Sequence, residues 1–369
     1  MFSPIIYQDR SARIQKILRD RQIDYLLIGP GTNLFYFTGI EAHISSRLLL
    51  LVIPAEGRPR LIVPALEKPA VEARATYFDL LPWSDTETSA SALGAAFPRV
   101  TRRFRMAVDN QLWAGHLLDI QHLLPNTVWM KASETIKMVR SRKSAEEIEL
   151  LKKAASIADA ALAELVTMKF SGRTEREIMN EIQRLLIANG DEVMSFCIVG
   201  TGENSAIPHH NSSDRVIQPG EPVLLDFGGA YHGYQSDMTR MVWCGDGPNE
   251  EFAKVYNIVN EARRAGHKAV KPGVTCESVD AATRAVIANA GYGEYFIHRT
   301  GHGLGIDLHE DPYIIPGNSE LLAEGMVFSI EPGIYLSGRF GVRIEDIAII
   351  TKNGEENING SPHELAYVN

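Results

Sequence analysis

Along the first third of this chain, helical and extended patterns of apolar residues alternate, which predicts an α/β domain over residues 1–130. DRSARIQKILRDRQ carries its apolar residues at the helical period. Tyr25–Ile28 is a short apolar run closed by GPGTN, and residues 48–52 and 61–63 are further runs of strand length. KASETIKMVRSRKS is polar and basic, which predicts a linker over 131–143. Past it, Ser144 and Glu147 have capping-box spacing, and Ile148, Leu151, Ala155, Ala158 and Leu162 keep one apolar face, so a long helix should start there. Ser171-Gly172 breaks that pattern; a second box, Thr174 with Glu177, opens a helix that should end near Asn189-Gly190. Hairpin-like segments and a helical stretch over 251–268 complete an α+β domain over 144–369.

Within that second domain, two pairs of acids sit symmetrically about glycine-containing turns. In LLDFGGAYHGYQSDMTR, Asp226 and Asp237 are equidistant from the centre of a Tyr231-His232-Gly233 turn, so an antiparallel hairpin would place them directly opposite. In SIEPGIYLSGRFGVRIED the midpoint is Gly338, and Glu331 and Glu345 fall opposite one another. Like charges directly opposed destabilise a sheet, so acids placed this way imply a cation. His302 stands between Gly301 and Gly303 in HRTGHGLGIDLHE, where the glycines let backbone approach a bound ion or substrate. Four carboxylates match the charge of two divalent ions, and one neutral imidazole completes the set. Two metals about 3.5–4 Å apart need bridging carboxylates, which each hairpin can supply. One such acid alone is an ordinary solvated turn residue; the five together describe a dinuclear centre. Arg343, two residues before Glu345, lies on the same strand face and can hold that acid by a charge-assisted hydrogen bond.

Other chemistries drop out. His309-Glu310 begins an HExxH pattern, but Tyr313 stands where the second histidine is required. No GxSxG elbow occurs, and GHGLG matches neither phosphate-binding glycine loop, so metal-activated water is the economical nucleophile. A length of 369 residues exceeds what one core usually supports, in keeping with two domains. The formal charge of −9 disfavours nucleic acid, whose binding draws on a basic surface, and leaves a small substrate as the expected partner. Cys197, Cys244 and Cys276 lack CxxC spacing, which suits a reducing cytoplasm, and no apolar run reaches membrane-spanning length.

LLDFGG, SDMTR, HRTGHGLGIDLHE, EGMVFSIEPGIY and GVRIED, in this order and at these separations, resemble the pita-bread metallopeptidase superfamily of creatinase, aminopeptidase P, prolidase and methionine aminopeptidase. The resemblance covers nearly the whole chain and implies a creatinase-type N-terminal domain followed by a pita-bread catalytic domain. It implies that Asp226 chelates one metal, that Asp237 and Glu345 bridge both, and that His302 and Glu331 complete the coordination of the other metal. It also implies that His209, favoured over His210, contacts the scissile linkage, and that His298 and His309 line the substrate and oxyanion side. Glu331 would shuttle a proton. More than a hundred residues before the catalytic half favour the prolidase and aminopeptidase P branch, and the intact ligand set argues against creatinase and against a peptide-binding module without catalysis. The implied activity is hydrolysis of the Xaa-Pro bond of dipeptides with two ions, manganese foremost and cobalt or zinc open; the alternative is an aminopeptidase P acting on longer peptides. TNLFYFTGI resembles the domain that packs against a partner subunit, which implies a homodimer. Many prolidases carry an arginine just after HExP to bind the substrate carboxylate. This chain has Tyr313 there, which leaves Arg47, Arg339 or Arg343 for the task.

Overall fold

In the computed structural model the chain is described over residues 2–86, 89–97 and 103–369. It divides into two compact units, Met1–Arg140 and Ser141–Asn369.

The first unit is built on a six-stranded mixed sheet in the order β4-β3-β2-β1-β5-β6. Its strands are β1 (Tyr25–Ile28), β2 (Leu50–Pro54), β3 (Arg60–Pro64), β4 (Asp79–Trp83), β5 (Arg105–Val108) and β6 (Val128–Lys131). The central strands are apolar throughout because both faces are covered: all of β2 and the last four residues of β3 are buried. Around the sheet run α1 (Pro4–Asp20), α2 (Thr32–Thr38), α3 (Lys68–Val71), α4 (Ala90–Ala96) and α5 (Ala114–Leu123). The expectation of a linker over 131–143 is corrected. Residue 131 ends β6, and Ser133–Arg140 form helix α6, which buries Thr135, Ile136, Val139 and Arg140. Arg140 donates to Asn33 Oδ1 at 2.7 Å, and Asn33 in turn donates to Asp109. The polar residues that suggested a linker include that helix's outer face, and the unit runs on to Arg140.

The second unit opens with α7 (Ala145–Leu165) and α8 (Glu175–Asn189), each started by its complete capping box, Ser144 with Glu147 and Thr174 with Glu177. Gly190, in the left-handed region at φ 120°, ends α8. One sheet has the order β18-β10-β8-β7, from β7 (Val193–Thr201), β8 (Glu221–Tyr231), β10 (Met238–Cys244) and β18 (Ala366–Val368), with the short β9 (Tyr234–Gln235) paired to β8. Helices α9 (Glu250–Ala269) and α10 (Cys276–Asn289) follow. The second sheet has the order β12-β11-β13-β16-β17, from β11 (Gly301–Gly303), β12 (Glu310–Ile314), β13 (Val327–Ile330), β16 (Asp346–Thr351) and β17 (Gly354–Asn357). A hairpin of β14 (Gly333–Leu336) and β15 (Phe340–Arg343) leaves between β13 and β16. This is the expected α+β arrangement. No helix among the described residues is long and apolar enough to cross a membrane. The three cysteines are free.

Strand alternation decides which face carries the chemistry. Val223, Leu225 and Phe227 of β8, with Met238, Val242 and Cys244 of β10, pack into the core under α7 and α8. Leu224, Met241 and Trp243 point the other way, into a core shared with α9 and the β14–β15 hairpin. By period two, Asp226 and Thr239 belong to this second face. The two face each other directly, with Ile198 of β7 on the other side of Asp226.

That register corrects one expectation. Asp226 and Asp237 are not directly opposed, because the turn is the two-residue His232-Gly233, with φ 50° and 79°, and Tyr231 pairs with Tyr234. Asp237 therefore lies two residues short of the residue opposite Asp226, a diagonal neighbour on the same face, which lessens the repulsion that direct opposition would bring. The second hairpin keeps the expected register. Ile330 pairs with Asp346 in one ladder and Gly333 with Arg343 in the next, so Glu331 and Glu345 fall opposite one another between the two.

Candidate metal centre

Asp226, Asp237, His302 and Glu345 are buried, and the Glu331 side chain is only 14% exposed. Asp237, His302 and Glu345 each offer a ligand-type atom, and these lie within 4.8 Å of one another. His302 Nε2 is 3.6 Å from Asp237 Oδ2 and 3.3 Å from Glu331 Oε1. Asp226 Oδ1 and Glu345 Oε1 are buried without a hydrogen-bond partner. Buried carboxylate oxygens with no donor are costly, and a cation is the partner their chemistry calls for. The donor set therefore fits divalent metal.

The surrounding groups fix these side chains. His302 Nδ1 donates to the Gly303 carbonyl at 3.1 Å, so its Nε2 lone pair faces the acids. Ser329 Oγ donates to Glu331 Oε1 at 3.1 Å and accepts from the His302 backbone N–H at the same distance. Thr239 Oγ1 donates to Glu345 Oε2 at 2.7 Å. The glycines around His302 let the neighbouring strands approach closely. A Cβ on Gly301 would lie 1.8 Å from the Ser329 carbonyl oxygen, and one on Gly303 would lie 2.4 Å from that of Asp311.

Arg343 is placed differently from expectation. It ion-pairs with Asp226, not Glu345, and donates to Tyr335 Oη at 2.7 Å and Thr239 Oγ1 at 3.1 Å. It reaches Glu345 only through Thr239, because Glu345 lies beyond the end of β15 while Asp226 stands beside Thr239 in the facing sheet. His298 donates from Nδ1 to the Arg299 carbonyl at 2.7 Å and accepts at Nε2 from Tyr335 at 2.8 Å, so both its ring nitrogens are engaged. The His309 ring lies 4.0 Å from that of His302, and its Nδ1 is 3.3 Å from an Arg299 guanidinium nitrogen. His209 lines the same cavity, whereas His210 is turned away to Glu175, 2.7 Å from its carboxylate. Buried Glu175 also accepts from Thr201 N, Asn204 Nδ2, Ser213 N and Ser213 Oγ, and so pins the loop that presents His209.

The four acids, Arg299, Arg343, His209, His298, His302 and His309 open on a cavity of about 440 Å³ with an apolar wall of Phe196, Ile198, Pro208 and Leu308. Sequence reasoning missed Thr239, Tyr335, Arg299 and Glu175. Thr239 and Arg299 sit inside SDMTR and HRTGHG, two segments already singled out, but their roles depend on contacts across sheets.

Burial, reinforced by the charges of Asp226 and Glu331, holds Asp237 well above the usual carboxylate range; burial with the charges of Asp237 and Glu331 does the same for Glu345. Burial pushes Glu331 up to about 7 even though Arg343 pulls it down. His298 and His302 are each pushed down to about 3, chiefly by burial, with Arg343 and His309 respectively adding to it. Raised acids bind more protons folded than unfolded, so their contribution to stability is lost as pH rises. The depressed histidines act oppositely, but only below about pH 6.5, where the unfolded imidazole takes up its proton. Metal-stripped protein should therefore melt at a lower temperature at about pH 9 than at about pH 7, and the rise in Tm on adding Mn²⁺ should grow over the same interval. Thermal melts with and without chelator test this; a metal-stripped Tm that climbs across the interval would refute it.

Acids converging with one imidazole beneath an open cavity define a class, the metal-dependent hydrolases. Comparison with known proteins narrows it. Residues 149–352 match metallopeptidase family M24, and residues 10–142 match the creatinase/prolidase N-terminal domain. A probable dipeptidase PepE of Mycobacterium bovis is 39% identical over 374 aligned residues, covering 100% of this chain and 98% of that protein. A Xaa-Pro dipeptidase of Lactobacillus delbrueckii subsp. lactis is 36% identical, covering 96% of this chain and 97% of that one. The crystal structure of a recombinant prolidase from Thermococcus sibiricus superimposes with a TM-score of 0.93 at 38% identity, over 98% of this chain and 99% of that one. The chain belongs to metallopeptidase family M24, and the family resemblance carried by its motifs holds.

Proposed function

We propose that this protein is a cytoplasmic dipeptidase that cleaves the Xaa-Pro bond, works as a homodimer, and holds two divalent ions through Asp226, Asp237, His302, Glu331 and Glu345. The observation that carries the reading is the cavity itself, where a cluster of acids with orphaned oxygens faces an apolar wall suited to a pyrrolidine ring. The relatives named as dipeptidase, Xaa-Pro dipeptidase and prolidase support it. Oxygen-rich ligation with a single imidazole favours manganese, with cobalt or zinc as substitutes. When bound, the ions supply Lewis acidity and make water a competent nucleophile near neutral pH.

The chain's own residues do the rest. Glu331, on the cavity wall beside His302, is placed to accept a proton from water and pass it to the leaving nitrogen. His309 accepts at Nδ1 from Arg299, which leaves its Nε2–H as a donor to the oxyanion that develops on the scissile carbonyl. His209 contacts the peptide from the opposite loop. Arg343 positions Asp226 and, through Tyr335, His298. The test is hydrolysis of Ala-Pro, Ala-Pro-Ala and Ala-Ala by metal-stripped protein reconstituted with Mn²⁺. Turnover of Ala-Pro in preference to the others is expected. Preference for the tripeptide would make the protein an aminopeptidase P, and absence of metal-dependent turnover on all three would refute the proline reading.

A further inference from the structure

Arg299 is a guanidinium on the cavity wall that the centre's internal network uses little. Its contacts are His309 Nδ1 at 3.3 Å and the Tyr313 ring, whose centroid is 4.8 Å from Arg299 Cζ. No carboxylate among the described residues forms an ion pair with it. The three arginines that the sequence offers for a substrate carboxylate are all committed. Arg343 is buried with its donors on Asp226, Tyr335 and Thr239; Arg339 is paired with Glu251; Arg47 makes a bidentate pair with Asp85 inside the first unit. Arg284, on α10, is spent on Asp280 and on two carbonyls.

We infer that Arg299 binds the free carboxylate at the C-terminal end of the substrate, with Tyr313 as the platform that holds its guanidinium over the cavity. This rests on the peptidase reading above. A free carboxylate that leaves water for this cavity needs a charged hydrogen-bond partner on its wall, and Arg299 is a cation on that wall with donors to spare. A planar guanidinium meets a carboxylate with two parallel N–H donors, and Arg299 gives one contact to His309 while keeping others. The Tyr313 face attracts and orients that plane while leaving its edge donors free. Tyr313 thus complements Arg299 at the position where the sequence seemed to lose its carboxylate clamp. Arg299 is on this account a specificity residue that sets which end of a peptide the cavity accepts.

The experiment compares Ala-Pro with Ala-Pro-amide in the Mn²⁺-reconstituted wild type, Arg299→Gln and Arg299→Lys, reading kcat and KM separately and checking fold by thermal melting. Wild type should favour the free acid through KM. Arg299→Gln should raise KM for Ala-Pro by about tenfold to a hundredfold, the range for loss of a charged hydrogen-bond pair, and bring the acid-to-amide preference close to unity. Arg299→Lys should retain part of that preference. Because Arg299 also donates to His309, kcat should fall on both substrates alike, and the inference is read from KM: an acid-to-amide preference that stays unchanged in Arg299→Gln overturns it and leaves Arg299 as a positioning residue behind His309. Wild type that turns over the amide as well as the acid overturns the inference while leaving the peptidase reading standing. Wild type inactive on both removes the two together.

Discussion

Asp237→Asn is expected to lower kcat/KM by about a thousandfold or more, equivalent to about 4 kcal/mol of transition-state stabilisation, and to reduce the metal bound per chain. Asp237 is central to the cluster, within ligand-atom reach of both His302 and Glu345. An asparagine there keeps the size but removes a negative charge that would help to hold a divalent cation. The same substitution should act in the opposite direction on metal-free stability. In wild type, burial and the charges of Asp226 and Glu331 disfavour the Asp237 carboxylate, and a neutral side chain escapes that cost. Chelated Asp237→Asn should thus melt at a higher temperature than chelated wild type near pH 8, with the order reversed once metal is added. Element analysis, kinetics and paired melts settle the matter. Full metal content together with undiminished turnover would remove Asp237 from the centre.

Arg343→Met should destabilise metal-free protein by about 3–5 kcal/mol, the range for removing one partner of a buried ion pair. The Arg343 side chain is 3% exposed and its donors are shared among Asp226, Tyr335 and Thr239. Methionine fills much of the volume but satisfies none of these oxygens. On the proposed ligand set, bound metal would give Asp226 another positive partner, so the penalty should be smaller in reconstituted protein than in stripped protein. Turnover should fall as well, because His298 and Glu345 are both held through groups that Arg343 orients. Denaturant unfolding of stripped and reconstituted samples measures the difference, and equal penalties in the two would show that Asp226 and the metal do not communicate.

What could be anticipated from the chain, and what could not, divides on physical lines. Both capping boxes and the glycine stop at Gly190 were legible because they are local, each settled within four residues. So was the pairing of Glu331 with Glu345, since symmetry about Gly338 survives in two successive ladders. The Asp226 hairpin was misjudged by one turn residue. Its tightness depends on His232, a non-glycine, adopting positive φ, which the sequence gives little reason to expect. Helix α6 was hidden by its polar outer face. The contacts joining Arg343, Tyr335, Thr239 and Glu345 cross between strands far apart in the chain, and no spacing rule reports them. The metal-type residues themselves were legible because their pattern is repeated and matches a known family.

The continuous register on either side of Gly338 also sets which changes of length this region tolerates. A Cβ at Gly338 would meet nothing within 4 Å, so residues added at the tip extend into open space and leave both arms aligned. A single residue added within either arm would turn every later side chain on that arm to the opposite face, and would carry Glu331 or Glu345 away from its counterpart. The hairpin can therefore be lengthened at its end, where added residues leave the acids at its base undisturbed.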